Sequence, residues 1–202
     1  MEIKRLRKRD YGKAIDFAIT GMHFNWYTDS RFQQRLYGRY FWYLEMTTAT
    51  QVLAAYEEGR LAGVLLARMK GENRICRSLW MHIYIKFFEL MSRFFIGNGA
   101  DSYDEANQRM LEAYRKQKQP DGEITFLAAD PNLGKRGIGT ALLRAFEAGE
   151  QGKTVYLYTD NACTYQFYEH RGFSREGQED ILLDLGKRQV ELQCFLYHRK
   201  IL

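Results

Sequence analysis

Proline and cysteine are scarce in this sequence of 202 residues. Two prolines amount to about 1% of the chain against a usual ~5%, which excludes proline-rich linkers and stalks. The three cysteines, Cys76, Cys163 and Cys194, are an odd number without metal-ligand spacing. We therefore expect reduced thiols, no metal site and a cytoplasmic protein.

Long apolar runs and a large charge surplus are also lacking. The most hydrophobic segment, residues 79–96, is interrupted by Lys86, Glu89 and Arg93, which argues against a membrane span. The basic N-terminus is not followed by an apolar stretch of ~7 to 15 residues, so we expect no secretory signal. The net charge of +5 is too small to indicate nucleic-acid binding, and we interpret the basic run 4–9 as a solvated corner. We predict neither a membrane nor a nucleic-acid partner.

The composition is that of a globular chain, with 46% hydrophobic and 27% charged residues. Its length suits one domain, so we expect a single domain over residues 1–202. Periodicity and turn signals predict an alternation of strands and helices, with a helical insertion at about 72–121. The predicted strands are 3–6, 51–58, 61–69, 123–129, 154–159 and 190–198, and the predicted helices are 11–24, 78–95, 102–117, 140–148 and one from Asn161 to Arg171.

A glycine-rich turn, Gly134-Lys-Arg-Gly-Ile-Gly139, lies between a predicted strand and a predicted helix. The N-terminus of a helix carries unpaired N–H groups and a partial positive charge, and glycines let a phosphate approach the backbone. Lys135 and Arg136 add two cations, which favours a pyrophosphate. The spacings of the dinucleotide-binding and Walker motifs are both absent. By itself, the pattern fits a plain structural turn equally well.

Two motifs resemble those of one enzyme family. The run from Leu127 to Leu143, LAADPNLGKRGIGTALL, resembles the acetyl-CoA signature of the GNAT N-acetyltransferase superfamily, Gln/Arg-x-x-Gly-x-Gly/Ala after the fourth strand. The series Asn161, Phe167-Tyr168 and Gly172-Phe173 matches the family's second motif after the fifth strand. The resemblance implies an α/β (α+β) fold with a mixed, mostly antiparallel sheet of six or seven strands flanked by helices. Residues 72–121 would then form a two-helix insertion between strands 3 and 4.

The resemblance also implies acetyl-CoA as cosubstrate and no metal. Gly134 stands where the family has Gln or Arg, but the family's phosphate contacts are mainly backbone amides, and Lys135 or Arg136 would compensate. In the family the pantetheine arm lies between the fourth and fifth strands and pairs with main-chain groups. The implied coenzyme-binding residues are Leu127, Ala129, Gly134, Lys135, Arg136, Gly137, Ile138, Gly139, Thr140 and Asn161. For Asn161, helix capping is an alternative role.

Attack of an amine on a thioester requires a base, an oxyanion donor and an acid. Tyr168 matches the family tyrosine that protonates the departing thiolate; its alternative role is that of a core tyrosine. Glu123 lies at the offset where protein-lysine acetyltransferases of the family carry a general base, and its alternative is a solvated residue at a strand edge. The N–H of Leu127 is the expected oxyanion donor. His23 is a second candidate base, and we interpret Cys163 as a small buried hydrophobe.

Aromatic residues are concentrated between Met22 and Tyr43, where nine of 22 residues are aromatic. In the family this segment faces the acceptor, and aromatic faces bind ammonium groups, although rings that fill the core would explain the cluster equally well. We predict an N-acetyltransferase that acts on a primary amine of a small molecule. The alternatives are a protein lysine or N-terminal acetyltransferase and a non-catalytic acetyl-CoA sensor.

The predicted insertion carries an apolar stripe at helical spacing, formed by Leu79, Ile83, Phe87, Met91 and Phe94. Such a stripe is most often core packing. A homodimer surface or a lid over the acceptor is the second interpretation.

Overall fold

The computed structural model describes residues 1–95, 99–134, 137–185 and 189–202. Its strands are β1 (Glu2–Lys4), β2 (Gln51–Glu57), β3 (Arg60–Met69), β4 (Gly122–Ala129), β5 (Thr154–Asp160), β6 (Ser174–Asp184) and β7 (Gln189–Lys200). Its α-helices are α1 (Tyr11–Gly21), α2 (Arg31–Thr48), α3 (Leu79–Phe95), α4 (Gly99–Arg115), α5 (Ile138–Gly149) and α6 (Gln166–Glu169).

Hydrogen bonds link the seven strands in the order β1-β2-β3-β4-β5-β7-β6. The pairs β1/β2, β2/β3, β5/β7 and β6/β7 are antiparallel, and β4 pairs with β5 in parallel. The parallel register consists of Gly122 with Val155 and Glu123 with Tyr156. The predicted fold class, a mixed and mostly antiparallel sheet flanked by helices, is therefore confirmed, and α3 and α4 lie between β3 and β4 in the chain.

The chain divides into two compact units, residues 1–92 with 124–151 (unit 1) and 93–123 with 152–202 (unit 2). In unit 1, α1 packs against α2 and β3, and α5 packs against β1, β2 and β3. Trp42 is fully buried there, with its ring edge-on to Tyr11 and Phe126. The predicted single domain stays a prediction.

Gly63 allows α5 to approach β3 closely within unit 1. A Cβ at this position would lie 2.6 Å from Cγ2 of Ile138 and 2.9 Å from the carbonyl oxygen of Ala128. Contacts this short do not occur between real atoms, so the packing of the first turn of α5 requires a residue without a side chain.

In unit 2, α4 packs against β6 and β7. Met110 and Tyr114 of α4 form a buried apolar cluster with residues of β5 and β7, namely Tyr156, Cys194 and Leu196. A Cβ at Gly177 of β6 would lie 3.1 Å from Cβ of Met110, so helix and strand are in close contact.

Three local features differ from the sequence-based expectations. The segment 31–48, to which no element was assigned, forms α2, and Ser30 caps it by accepting a hydrogen bond from the Gln33 N–H over 3.4 Å. The predicted helix 102–117 begins earlier, at Gly99. The predicted helix from Asn161 to Arg171 is wrong, because α6 has only four residues. No helix among the described residues is long and apolar enough to cross a membrane.

Candidate functional site

The loop after β4 is anchored within unit 1 by Asp130. Its backbone N–H donates to the Ala62 carbonyl of β3 over 2.7 Å, and its Oδ2 pairs with Nζ of Lys13 in α1 over 2.7 Å. Its Oδ1 accepts a hydrogen bond from the N–H of Asn132 over 3.0 Å, which caps the 3-10 turn Pro131–Leu133. Burial alone would raise the pKa of Asp130, but the hydrogen bonds from Lys13 and Asn132 outweigh it and lower the pKa.

Two glycines give this loop the shape that leads into α5. Gly134 has φ 65° and Gly137, the N-cap residue of α5, has φ 70°; both values lie in the left-handed region that favours glycine. An added Cβ would have no neighbour within 4 Å at either position, so the backbone is open on that side. No side chain caps the helix, and its first-turn N–H groups therefore depend on partners outside the helix. Lys135 and Arg136 lie outside the described residues.

Ile138 and Leu142 fix the start of α5, since both are buried in unit 1. Gly139 and Thr140 follow Ile138 in the first turn and are partly buried. A helix with an anchored apolar face and an uncapped N-terminus is a typical site for an anion. Unit 1 thus brings together the predicted coenzyme residues 137–140 at one helix end, after a strand that carries Leu127 and Ala129.

Glu123 is a buried carboxyl group in unit 2, at the start of β4. Its Oε2 accepts a hydrogen bond from the Tyr156 hydroxyl over 2.9 Å. The alternative of a solvated residue at a strand edge is therefore wrong. Sequence reasoning did not single out Tyr156; the short parallel register that places it beside Glu123 carries no local signal.

Tyr168 lies on α6 and is partly buried among aromatic rings of unit 2. Its ring centroid is 5.3 Å from that of Phe167, 5.7 Å from Phe173 and 6.4 Å from Tyr197. Burial raises the pKa of Tyr168, with a smaller contribution from Cys163. The phenol is therefore protonated at neutral pH, as a proton donor must be.

A hydrogen-bonded group that the sequence did not reveal supports the segment around Tyr168. The Tyr197 hydroxyl donates to Oε1 of Glu169 over 2.6 Å, and Nη2 of Arg175 donates to the same oxygen over 2.9 Å. The Arg175 guanidinium also lies 3.9 Å above the Phe195 ring. These residues are far apart in sequence, and no spacing rule connects them. They tie α6 to β6 and β7.

Asn161 does not cap a helix. Its Oδ1 accepts a hydrogen bond from the Gln193 N–H over 3.1 Å, and its own N–H donates to the Gln193 carbonyl over 3.0 Å. The capping alternative is therefore wrong, and Asn161 is instead an exposed residue held by β7. Nearby, burial and then Asp160 raise the pKa of the Cys163 thiol to about 12, so this cysteine is not a thiolate nucleophile at neutral pH.

The aromatic segment of unit 1 has two roles in the structure. Trp42 fills the core, whereas other rings hold α3 against α2: Phe88 stacks on Tyr40 at 4.4 Å and meets Tyr37 edge-on at 5.3 Å. Tyr84 meets Tyr43 at 5.2 Å in the same way. Before α2, His23 stacks on Trp26 at 4.5 Å, with a left-handed backbone at φ 51°.

The predicted site residues thus form two groups. Unit 1 holds Leu127, Ala129, Gly134 and residues 137–140, and unit 2 holds Glu123, Asn161 and Tyr168. Within the described residues, no group of three or more His, Cys, Asp or Glu side chains could hold a metal ion.

The family model described as the acetyltransferase (GNAT) family matches residues 17–173. The chain therefore belongs to the GNAT acetyltransferases, which use acetyl-CoA as cosubstrate. This result confirms the family resemblance and the predicted cosubstrate. None of the curated proteins searched matched the sequence.

Solved structures share the fold over nearly the full chain. An N-acetyltransferase from Staphylococcus aureus Mu50 is 14% identical, with 98% of this chain and 100% of that chain covered and a TM-score of 0.55. The histone acetyltransferase HPA2 and related acetyltransferase from Corynebacterium glutamicum is 14% identical, with 99% and 96% covered and a TM-score of 0.58. The PaiA N-acetyltransferase from Thermoplasma acidophilum, solved with coenzyme A, is 15% identical, with 98% of both chains covered and a TM-score of 0.54.

Proposed function

We propose that this protein transfers the acetyl group of acetyl-CoA to a primary amine of a small molecule. The amine nitrogen attacks the thioester carbon, the C–S bond breaks, and the products are an N-acetyl amide and the free thiol of coenzyme A. One proton leaves the amine and one reaches the departing thiolate, so the reaction needs no further reagent.

The coenzyme's diphosphate is assigned to unit 1. The uncapped N–H groups of the first turn of α5 would donate to the phosphate oxygens, and the open backbone at Gly134 and Gly137 would admit them. Lys135 and Arg136 would add positive charge. Main-chain groups of Leu127 and Ala129 would hold the pantetheine arm, together with the side chain of Asn161, and the N–H of Leu127 would stabilise the oxyanion.

The proton transfers are assigned to unit 2. Glu123, oriented by the Tyr156 hydroxyl, would accept the amine proton. Tyr168 would donate a proton to the thiolate, and its raised pKa keeps this proton in place at neutral pH. The rings of Phe167, Phe173 and Tyr197 restrict the orientation of the phenol.

The packing of α3 against α2 is the observation that favours a small acceptor. The stacked rings of Phe88 and Tyr40 lay the insertion on the segment that faces the acceptor in this family. A helix fixed in this position limits the surface on which an extended polypeptide could lie. The buried Glu123 is the counterargument, since it stands at the position of the base in protein-lysine acetyltransferases.

Calorimetric titration with desulfo-CoA tests the coenzyme site. Gly137→Ala should weaken binding about tenfold or more, because a side chain at φ 70° strains the loop and obstructs the phosphates. Gly59→Ala is the matched control, since Gly59 has φ 76° and equally open surroundings but lies in the β2–β3 turn. Equal affinities of the two variants would contradict the assignment.

The acceptor class is tested by measuring thiol release with panels of amines. Polyamines, aminoglycosides and amino acids represent small acceptors, and lysine-containing peptides and peptides with free N-termini represent proteins. We expect turnover with at least one small amine. Turnover with peptides alone would favour the protein acetyltransferase, and binding of acetyl-CoA without turnover of any amine would favour the sensor.

A further inference from the structure

Helix α3 carries an apolar face that the rest of the chain leaves uncovered. Six large apolar residues of this helix are between 41% and 75% exposed: Leu79, Trp80, Ile83, Phe87, Leu90 and Met91. The opposite side of the helix is the one that packs, through the buried Met81 and Ile85 and the stacked ring of Phe88. The prediction that this stripe is core packing is therefore wrong for the four members whose side chains are described; Phe94 lies outside them.

The exposed area is large for a monomer. The six residues together expose roughly 700 Å², taking about 200 Å² for a fully exposed large side chain. The largest apolar patch of a typical monomer is ~300 to 600 Å², whereas a stable interface buries about 800 Å² on each partner. The face is thus close to the size of one side of a dimer interface.

The spacing along the helix is that of a self-packing seam. Trp80, Ile83, Phe87 and Leu90 follow one another at intervals of three, four and three residues, which is the alternation of core positions in a coiled coil. The charged residues between positions 79 and 91 are one Lys and one Glu, Lys86 and Glu89, and both are exposed. In a twofold pairing, opposite charges beside the seam of one copy can face those of the other.

We propose that two copies of this chain associate through this face of α3, helix against helix about a twofold axis. The neutral balance of Lys86 and Glu89 fits a second copy better than an anionic lipid surface, because helices that lie on such surfaces are rich in Lys and Arg. This proposal does not depend on the proposed function, since it rests on the α3 face alone.

Sedimentation equilibrium of the full chain tests the proposal. At micromolar concentration the wild-type protein should have twice the 23.9 kDa mass of one chain, and Phe87→Glu should reduce it to that of one chain. Phe32→Glu is the matched control, because Phe32 lies in α2 and is 72% exposed, against 62% for Phe87, so it should remain dimeric. A milder variant, Leu90→Gln, should weaken the dimer at least tenfold while leaving the circular dichroism spectrum unchanged.

Two results would overturn the proposal. One is a wild-type protein that is monomeric at these concentrations, including one that co-floats with phosphatidylcholine or phosphatidylserine vesicles through α3. The other is a dimer that Phe87→Glu and Leu90→Gln affect no more than Phe32→Glu does.

Discussion

The Tyr156 hydroxyl donates a hydrogen bond to Oε2 of Glu123 over 2.9 Å, and both residues are buried in unit 2. A carboxyl group removed from water needs such partners, because an unpartnered buried polar group costs ~1 to 3 kcal/mol. The hydrogen bond orients this carboxyl group, and Glu123 is the buried acid that the proposed reaction needs.

Replacing Glu123 tests its role as the base. Glu123→Gln should lower kcat about 10²-fold, since an amide cannot accept the amine proton, while the affinity for acetyl-CoA is maintained. Steady-state kinetics with the best acceptor from the panel measures this effect. Glu58→Gln, which changes an exposed residue in the β2–β3 turn, should leave kcat unchanged. A wild-type kcat in Glu123→Gln would remove this residue from the mechanism.

The Tyr156 hydrogen bond should contribute mainly to stability. Tyr156→Phe removes one bond to a buried carboxyl group and should reduce the free energy of unfolding by about 1 to 2 kcal/mol. Urea denaturation measures the loss. If the bond also orients Glu123, kcat should fall as well, but by less than in Glu123→Gln. A variant with unchanged stability would show that the bond is replaced without cost.

Tyr168→Phe should slow thiol release about 10²-fold or more without weakening the binding of desulfo-CoA. The phenyl ring keeps the contacts with Phe167 and Phe173, so only the proton donor is lost. Tyr165→Phe is the control three residues earlier, where the ring meets Phe195, and it should retain the wild-type rate. Equal rates for Tyr168→Phe and the wild type would return Tyr168 to a packing role.

Gly63→Ala should destabilise the protein by ~1 to 3 kcal/mol, because the new methyl group collides with the Ala128 carbonyl and Ile138. Displacing the first turn of α5 should also weaken desulfo-CoA binding. Gly12→Ala makes the same substitution in α1, where nothing lies within 4 Å, and should be neutral or stabilising by up to about 1 kcal/mol. Thermal unfolding and calorimetry distinguish the two variants, and similar stabilities would contradict the close packing at Gly63.

Stability should fall in mild acid because of His198. Burial lowers the pKa of His198 below its ordinary 6.5 and Lys118 acts in the same direction, while Glu176 opposes them. The folded state therefore binds the proton less readily than the unfolded state, so the contribution is complete above pH 6.5 and is lost as the pH falls through the lowered pKa. His198→Gln should reduce the decrease in melting temperature between pH 7 and pH 5, and the exposed His170→Gln should not. Identical pH profiles of all three proteins would contradict this prediction.

The sequence predicted the parts of the fold that have local signals. Gly134 and Gly137 lie at a turn that only glycine adopts easily, and the second motif located Tyr168; the structure places these residues in a loop and on a short helix as expected. The Tyr156–Glu123 bond and the packing at Gly63 join residues distant in sequence, so no local pattern indicated them. The α3 stripe was misinterpreted because periodicity shows that a helix has an apolar face but not what covers it.

Each compact unit is assembled from two separate stretches of the chain, and β4 begins in one unit and ends in the other. During synthesis, unit 1 is incomplete until residue 151 has left the ribosome, and unit 2 is incomplete until the last strand follows. Truncation after residue 92 or 123 would remove β4 or α5 from unit 1, so neither unit can be produced as one uninterrupted fragment.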